Sequence, residues 1–248
     1  MENYTIGENY TLPSKGLVYK KQVNPNVKLR SMTTEEEMKR LGHSSAPYKL
    51  LSEIIDDCLV EKPGIPAYDL CVGDYQYLLH KLRIVTYGPK YPIQSVCPAC
   101  GAIGKHDINL DKLEVSEYSD EYEKYLNVVL PDSGKHIDLR LQTPRMLDEI
   151  KMRVDDLKSK SPDLKGEPAF LFTLESLIDK VDGQVLDPIK LSAFVRSLKM
   201  KDANYILKSI TKLDIGIQTN LDLTCPSCKL KYKTPFPITG EFFGPSID

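Results

Sequence analysis

The stretch Cys97-Pro98-Ala99-Cys100 recurs 128 positions later as Cys225-Pro226-Ser227-Cys228 (225 − 97 = 128). Four thiolates in two short loops are the ligand set of a tetrahedral metal site. We therefore predict that Cys97, Cys100, Cys225 and Cys228 bind one structural metal ion. Zinc is the favoured metal, and a single iron ion or an iron–sulfur cluster is the alternative.

The similarity between the two stretches extends toward the N-terminus. At the same offset, Asp74 aligns with Asp202, Tyr77 with Tyr205, and Gly88 with Gly216. A Pro-containing turn (Leu12–Gly16 and Leu130–Gly134), a short strand and a helix-capping threonine (Thr33 and Thr143) also occur in both halves. The sequence therefore predicts an internally duplicated α+β protein.

Each half is predicted to run turn, strand, helices, strand, Cys-Pro-x-Cys knuckle, strand. The halves are residues 1–120 and 121–248, as two domains or one compact domain, and a zinc-ribbon-like four-cysteine site joins them. Residues 50–60 and 170–181 are predicted to be helical, with Ile55-Asp56 matching Ile178-Asp179. The offset is 110 at Arg30 and Arg140 but 128 at the cysteines, so the second half contains 18 additional residues (128 − 110), which we place around 145–168.

The composition favours no strongly charged partner. The 248 residues include 33 basic and 35 acidic side chains, so nucleic acid is not an expected partner. The apolar runs are too short to cross a bilayer, and the first residues lack the features of a signal peptide. We expect a reducing compartment, with Cys58 and Cys71 as buried free thiols.

The sequence contains no recognisable catalytic motif. We therefore predict that the protein is not an enzyme and has no small-molecule substrate. The histidines (His43, His80, His106 and His136) are scattered along the chain. His106 is close to Cys100 in sequence, but the four cysteines complete a metal shell without it.

Two alternative functions remain at this point. A zinc-ribbon nucleic-acid-binding factor is suggested by Lys229, Lys231 and Lys233 beside the second knuckle, and a redox or iron–sulfur protein by the Cys-Pro-x-Cys pairs themselves. The C-terminal segment 236–245, which contains Phe242 and Phe243, has two interpretations: it docks into another subunit, or it covers the core of its own chain.

Several strings together are similar to a known family. They are Leu12-Pro13-Ser14-Lys15-Gly16-Leu17-Val18-Tyr19, Leu29-Arg30, Leu82-Arg83-Ile84, and Cys97-Pro98-x-Cys100-Gly101. In these strings the chain resembles the T4-type bacteriophage baseplate protein family, which includes the hub subunit and hub assembly factors of contractile tails.

The resemblance covers the first half densely and the second half more loosely. It implies a non-enzymatic protein of tail assembly whose partners are other baseplate and tail proteins. It further implies a hub component or an assembly catalyst, located in the host bacterial cytoplasm during assembly and then in the virion tail baseplate if the protein is retained.

Overall fold

The computed structural model describes residues 7–161, 163, 165–236 and 240–243. The first half contains both helices and strands. These elements are β1 (Gly7–Thr11), β2 (Asn26–Arg30), α1 (Thr34–Arg40), α2 (Pro47–Cys58), β3 (Leu59–Glu61), α3 (Val72–Tyr87), β4 (Lys90–Val96), β5 (Ile103–Asn109) and β6 (Val115–Ser116).

The second half contains a similar series. Its elements are α4 (Glu123–Leu126), β7 (Asn127–Val129), β8 (His136–Leu139), α5 (Pro144–Lys160), α6 (Pro168–Leu177), β9 (Ile178–Val181), α7 (Pro188–Ser197), α8 (Met200–Ile210), β10 (Gly216–Ile217), β11 (Asn220–Thr224) and β12 (Lys231–Pro235). The α+β prediction is confirmed.

Both predicted helix caps are present. The Thr33 side chain and Glu36 form a capping box at the start of α1. The Thr143 hydroxyl accepts the N–H of Met146 at 3.3 Å, and Pro144 occupies the first position of α5. In both halves, therefore, a threonine in the strand-to-helix turn fixes where the following helix begins.

Each half builds a three-stranded antiparallel sheet, β1-β2-β3 in the first and β7-β8-β9 in the second. The strand register shifts at corresponding places, between Lys28 and Leu29 in β2 and between Asp138 and Leu139 in β8. Leu29 lies opposite Leu59, and Leu139 lies opposite Ile178.

The third strands of these sheets were not predicted. Helix α2 ends at Cys58 and α6 ends at Leu177, and the residues that follow form β3 and β9. The match of Ile55-Asp56 with Ile178-Asp179 is wrong, because the first pair lies in α2 and the second in β9. The periodicity of a short apolar run does not distinguish a helix from a strand. Pairing with β2 or β8 determines that these residues form strands.

The two sheets give a third value for the sequence offset between the halves. Leu59 and Ile178 are the corresponding positions, and their offset is 119 (178 − 59). This value lies midway between the offset of 110 at Arg30 and Arg140 and that of 128 at the cysteines, and the placement of the additional residues around 145–168 stays a prediction. Helix α5 has 17 residues where α1 has 7, and α7 has 10 where the first half has a three-residue turn, Ala67–Asp69.

Two clusters of buried side chains form the core. The second cluster draws on the second half alone and includes Ile137, Leu177 and Ile206. The first contains residues of the first half together with Leu223 on β11 and Phe236 after β12. The C-terminal hairpin β11–β12 therefore packs against the core of the first half.

The final described residues belong to that same core. Phe242 is 0% and Phe243 1% exposed, so the interpretation that they cover their own chain is confirmed. The buried Arg83 holds this segment, because its Nε donates to the carbonyl of Phe242 at 3.0 Å. The ring of His80 stacks on that of Phe242, with 5.9 Å between centroids.

The halves also contact each other through backbone. Gly73 in α3 lies against β10, where a Cβ on this residue would come within 2.1 Å of the carbonyl oxygen of Ile215. Gly216, on the other side of the contact, has φ +115°, a conformation that favours glycine. The division at residues 120 and 121 stays a prediction about domain organisation.

Candidate metal centre

The two cysteine loops sit at the tips of two antiparallel hairpins. Strand β4 pairs with β5 up to Val96 opposite Ile103, and β11 pairs with β12 up to Thr224 opposite Lys231. Each hairpin therefore closes through a six-residue tip, 97–102 or 225–230. Extended strands flank both Cys-Pro-x-Cys pairs, as the sequence predicted.

The two tips have the same backbone hydrogen bonds. The N–H of Cys97 donates to Ala102 at 2.9 Å, and that of Gly101 donates back to Cys97 at 3.0 Å. In the second tip, Cys225 donates to Leu230 at 2.9 Å and Lys229 to Cys225 at 3.0 Å.

Both tips turn through a left-handed residue. These residues are Gly101, with φ 69°, and Lys229, with φ 63°. Lysine tolerates this conformation less well than glycine, since its Cβ crowds the backbone. The fold thus builds the same loop twice from different residues.

The tips bring the four sulfur atoms together. All four Sγ atoms lie within 4.8 Å of one another. The distances from Cys97 to Cys228 and from Cys100 to Cys225 are both 3.7 Å. Four sulfurs bound to one ion at ~2.3 Å in a tetrahedron would be ~3.8 Å apart. The cluster therefore has the size and shape of a four-thiolate cage.

The cage is half inside the protein. Cys97 and Cys225 are buried, at 2% and 0% exposure, while Cys100 and Cys228 are exposed. Behind it the hairpins touch through Ser95 on β4 and Tyr232 on β12, whose hydroxyl oxygens are 2.5 Å apart. Neither half positions the four sulfurs alone.

The loops favour thiolate at the two buried positions. The backbone N–H of Cys100 holds the pKa of the Cys97 thiol below its ordinary value. The N–H of Cys228 likewise lowers the pKa of Cys225 to about 6. The N–H of Leu230 also favours ionisation of Cys228, but the neighbouring sulfurs outweigh it and raise its pKa to about 11. A bound cation would relieve this crowding of negative charge.

His106, Cys58 and Cys71 are not part of the cluster of four sulfurs. His106 is on β5, and its ring is not part of the four-residue cluster found among the described residues. Cys58 and Cys71 are buried thiols, as predicted. Burial raises the pKa of each thiol to about 12.

One buried group between the halves was missed from the sequence. The carboxylate of Asp148 on α5 accepts the N–H of Lys49 at 2.8 Å and the hydroxyl of Tyr68 at 3.1 Å. It caps α2, whose own N-cap residue, Ala46, makes no side-chain hydrogen bond. The missing cap was a usable signal, because helix N-termini need acceptors for their first amides.

The comparisons with known proteins place nearly the whole chain in one family. The family model for T4 bacteriophage base plate protein matches residues 5–244. The chain belongs to this family. It is therefore a phage baseplate structural protein, with other baseplate or tail proteins as its partners. No curated protein and no solved structure matches the chain. Among its described helices none has the length and apolar character needed to span a membrane.

Proposed function

We propose that this baseplate protein is a non-enzymatic component of the tail hub or of its assembly, and that one structural zinc ion clamps its two halves. The observation that carries the clamp is the spacing of the four sulfurs, two from each half. Cys97, Cys100, Cys225 and Cys228 would be the ligands. All four positions are protein thiolates, so the shell leaves no open position for substrate, as in structural zinc sites.

We further infer that the two halves derive from one duplicated unit. Supporting observations are the two sheets with corresponding register shifts, the two threonine caps and the two hairpin tips with the same hydrogen bonds. In this interpretation the metal lies between the copies and holds the C-terminal hairpin on the first half.

Elemental analysis and a visible absorption spectrum of the purified chain test whether it binds a metal ion and which one. One zinc per chain and no colour is the expected result. Half a metal per chain would instead mean that the cage is shared between subunits. Iron with a charge-transfer band would revive the redox alternative, and absence of any metal would remove the clamp.

Interrupting the gene in the phage that encodes the chain tests the assembly role. We expect infected cells to accumulate heads and to lack complete baseplates by electron microscopy, with assembly restored by the wild-type gene supplied in trans. Mass spectrometry of finished particles then separates a retained hub component from an assembly factor that leaves. Normal tails from the interrupted phage would refute the proposal.

A further inference from the structure

The helices of the two halves contact each other through unlike faces. The first half contributes the start of α2 and the turn Ala67–Asp69, and the second half contributes the start of α5. Asp148 on α5 accepts the N–H of Lys49 at 2.8 Å. Arg145 on the same helix makes two hydrogen bonds to Asp69, at 2.7 and 3.0 Å. In a duplicated chain, such a head-to-tail contact leaves over one face of each kind.

The helices that carry the remaining faces can be identified by their first residues. Helix α1 corresponds to α5, since each follows a capping threonine, Thr33 or Thr143 (143 − 33 = 110). Helix α6 corresponds to α2, since each begins with a proline, Pro168 or Pro47 (168 − 47 = 121). The residues before the two prolines also have similar backbone angles.

The turn Ala67–Asp69 corresponds to the last turn of α7. The N–H of Leu70 donates to the carbonyl of Ala67 at 3.3 Å. Leu198 and Val195, 128 positions later, make the same hydrogen bond at 3.2 Å. One remaining face is therefore on α1, and the other is formed by the start of α6 and by α7.

The polar contact at Asp148 has apolar residues at the corresponding positions. Met38 corresponds to Asp148 (148 − 38 = 110), and Phe170 corresponds to Lys49 (170 − 49 = 121). Both are exposed, Met38 at 70% and Phe170 at 42%. A polar pair within the chain thus becomes a pair of exposed apolar side chains, one on each remaining face.

The cap of α6 fits this exchange. Helix α2 has no side-chain cap of its own and takes the carboxylate of Asp148. In α6, by contrast, the carboxylate of Glu167 accepts the N–H of Ala169 at 3.3 Å. A methionine that faces α6 in place of an aspartate therefore does not remove the cap of this helix.

The charges at the corresponding positions are opposite. Within the chain the guanidinium of Arg145 lies 4.5 Å from the centroid of the Tyr68 ring. The corresponding residues are Glu35 (145 − 35 = 110) and Arg196 (196 − 68 = 128), and both are exposed. Glu35 and Met38 are three residues apart, so they lie on one side of α1.

Further exposed apolar residues lie beside these positions. Leu41, three residues after Met38, is 67% exposed. Ile189 is 83% exposed and lies seven residues before Arg196, which places both on one side of α7. Exposed apolar side chains that gather on a surface mark interaction sites.

We propose that the α1 face (Glu35, Met38 and Leu41) of one copy of this chain docks on the α6–α7 face (Phe170, Ile189 and Arg196) of a second copy. Met38 would pack on the partner's Phe170, and Glu35 would pair with the partner's Arg196. The occupant is a second copy because the chain itself carries the complement of each face. The inference rests on the duplication proposed above.

The two faces differ, so the association is head to tail. Each copy offers one face of each kind, and the contact that joins its halves is repeated between chains. Such an assembly extends from copy to copy and ends where a ring closes.

Sedimentation velocity over a concentration series measures the association of the purified chain. We expect oligomers that grow with concentration. Met38→Glu and Phe170→Glu should each weaken the association by about tenfold or more, because each places a carboxylate in the apolar contact. Leu17→Glu is the matched control, since Leu17 is 61% exposed and belongs to neither face. A wild-type chain that stays monomeric up to its highest soluble concentration would overturn the proposal.

Mixing the two variants tests whether the contact is head to tail. Met38→Glu keeps the α6–α7 face, and Phe170→Glu keeps the α1 face. An equimolar mixture should therefore form a dimer with one copy of each variant and no larger species. A mixture that associates no better than its components would refute the head-to-tail contact.

Reversing the charges provides a test that misfolding cannot imitate. Glu35→Arg and Arg196→Glu should each weaken the association, because each brings two like charges together. The chain with both changes regains opposite charges and should associate as the wild type does. A double variant weaker than either single variant would show that these two residues do not meet.

Metal content keeps this inference distinct from the proposed function. The substituted residues lie outside the cysteine loops, so all variants should hold as much metal as the wild type. A monomeric wild-type chain with one zinc ion would refute the self-association and leave the clamp standing. Self-association together with normal tails after interruption of the gene would refute the assembly role alone.

Discussion

Asp74 and Asp202 occupy corresponding positions in the first turns of α3 and α8, and each binds the Pro-containing turn of its own half. Asp74 accepts the N–H of Ser14 at 2.9 Å and also the Ser14 and Tyr19 hydroxyls. Asp202 accepts the N–H groups of Asp132 and Ser133, at 2.8 and 3.0 Å. Both carboxylates are buried, so each turn is anchored to the helix that leads toward its cysteine hairpin.

Because the two aspartates accept from different donors, replacement by asparagine should lower the free energy of unfolding by different amounts at the two positions. At Asp202 both oxygens accept a backbone N–H, so the side-chain amide of an asparagine there would face a donor that cannot rotate. At Asp74 one oxygen accepts only hydroxyls, and these can turn to accept from an amide. We expect Asp202→Asn to lower the free energy of unfolding by about 2 kcal/mol and Asp74→Asn by less than about 1 kcal/mol.

Urea unfolding of both variants at pH 7 gives the comparison. Alanine at either position serves as the control, because it removes the acceptors from both turns and should cost a similar amount at the two sites. Equal losses for the two asparagine variants would contradict the assignment of donors.

The two sites also differ in charge. Burial raises the pKa of Asp74 above its ordinary value despite its hydrogen bonds. Burial acts in the same direction on Asp202, but the N–H groups of Asp132 and Ser133 outweigh it and hold its pKa below the ordinary value. The stability from Asp202 is therefore present above the unfolded pKa of ~3.9 and is lost as pH falls through the folded pKa. For Asp74, whose folded pKa is raised, the contribution to stability is present below the unfolded pKa and is lost as pH rises through the folded pKa.

His80 makes the protein less stable in mild acid. Burial lowers its pKa to about 4, and its Nε2 is 2.9 Å from the carbonyl oxygen of Leu110. The unfolded chain takes up a proton at ~6.5 while the folded chain stays neutral, so the free energy of unfolding falls between pH ~6.5 and ~4. The full effect is about 3 kcal/mol.

The difference between wild type and His80→Gln isolates this contribution from other acid effects. The variant should lose less stability than wild type when urea unfolding is compared at pH 7 and pH 4.5. His43→Gln, at an exposed position, should keep the wild-type dependence. A parallel pH dependence for wild type and His80→Gln would show that His80 is protonated in the folded state.

Removing the metal should loosen one part of the fold selectively. The hairpins β4–β5 and β11–β12 meet at the cage, whereas the core cluster around Ile137, Leu177 and Ile206 contains none of their residues. Metal binding of this type contributes on the order of 10 kcal/mol to folding. With a chelator, or in Cys225→Ser, we expect much faster amide exchange in both hairpins and little change in β7, β8 and β9.

Hydrogen exchange followed by mass spectrometry measures the two regions in one experiment. Cys58→Ala is the control, since this thiol is buried away from the cage and its loss should leave the metal content unchanged. Uniform acceleration across the chain would mean that the metal stabilises the whole fold as one unit.

Features that depend on neighbouring residues could be predicted from the sequence, whereas features that depend on contacts between distant segments could not. The knuckles, the Thr33 capping box and the helices after Asp74 and Asp202 are encoded within a few neighbouring residues, so the sequence predicted them. Strands β3 and β9 depend on pairing with distant β2 and β8, and the pattern of a short apolar run does not separate this outcome from helix.

The metal cage and the Asp148 cap differ in the same way, since only the first is encoded in a local sequence motif. Four cysteines in repeated motifs predict a metal cage from residue types and spacing alone. The Asp148 cap has no such motif, because its carboxylate on α5 accepts the N–H of Lys49, which is 99 residues away in the sequence. That contact is identified only by the three-dimensional arrangement of the two helices.

Asp148 is the contact through which α5 of the second half supports α2 of the first. Asp148→Ala would leave the N–H of Lys49 and the hydroxyl of Tyr68 without their acceptor, next to a helix that has no cap of its own. We expect a loss of about 1–3 kcal/mol in the free energy of unfolding. Amide exchange at Tyr48 and Lys49 should accelerate most. Asp155→Asn, at an exposed position of the same helix, should change stability by less than about 0.5 kcal/mol. If the two variants were equally stable, α2 would be capped by water and the halves would be coupled mainly through the hairpins.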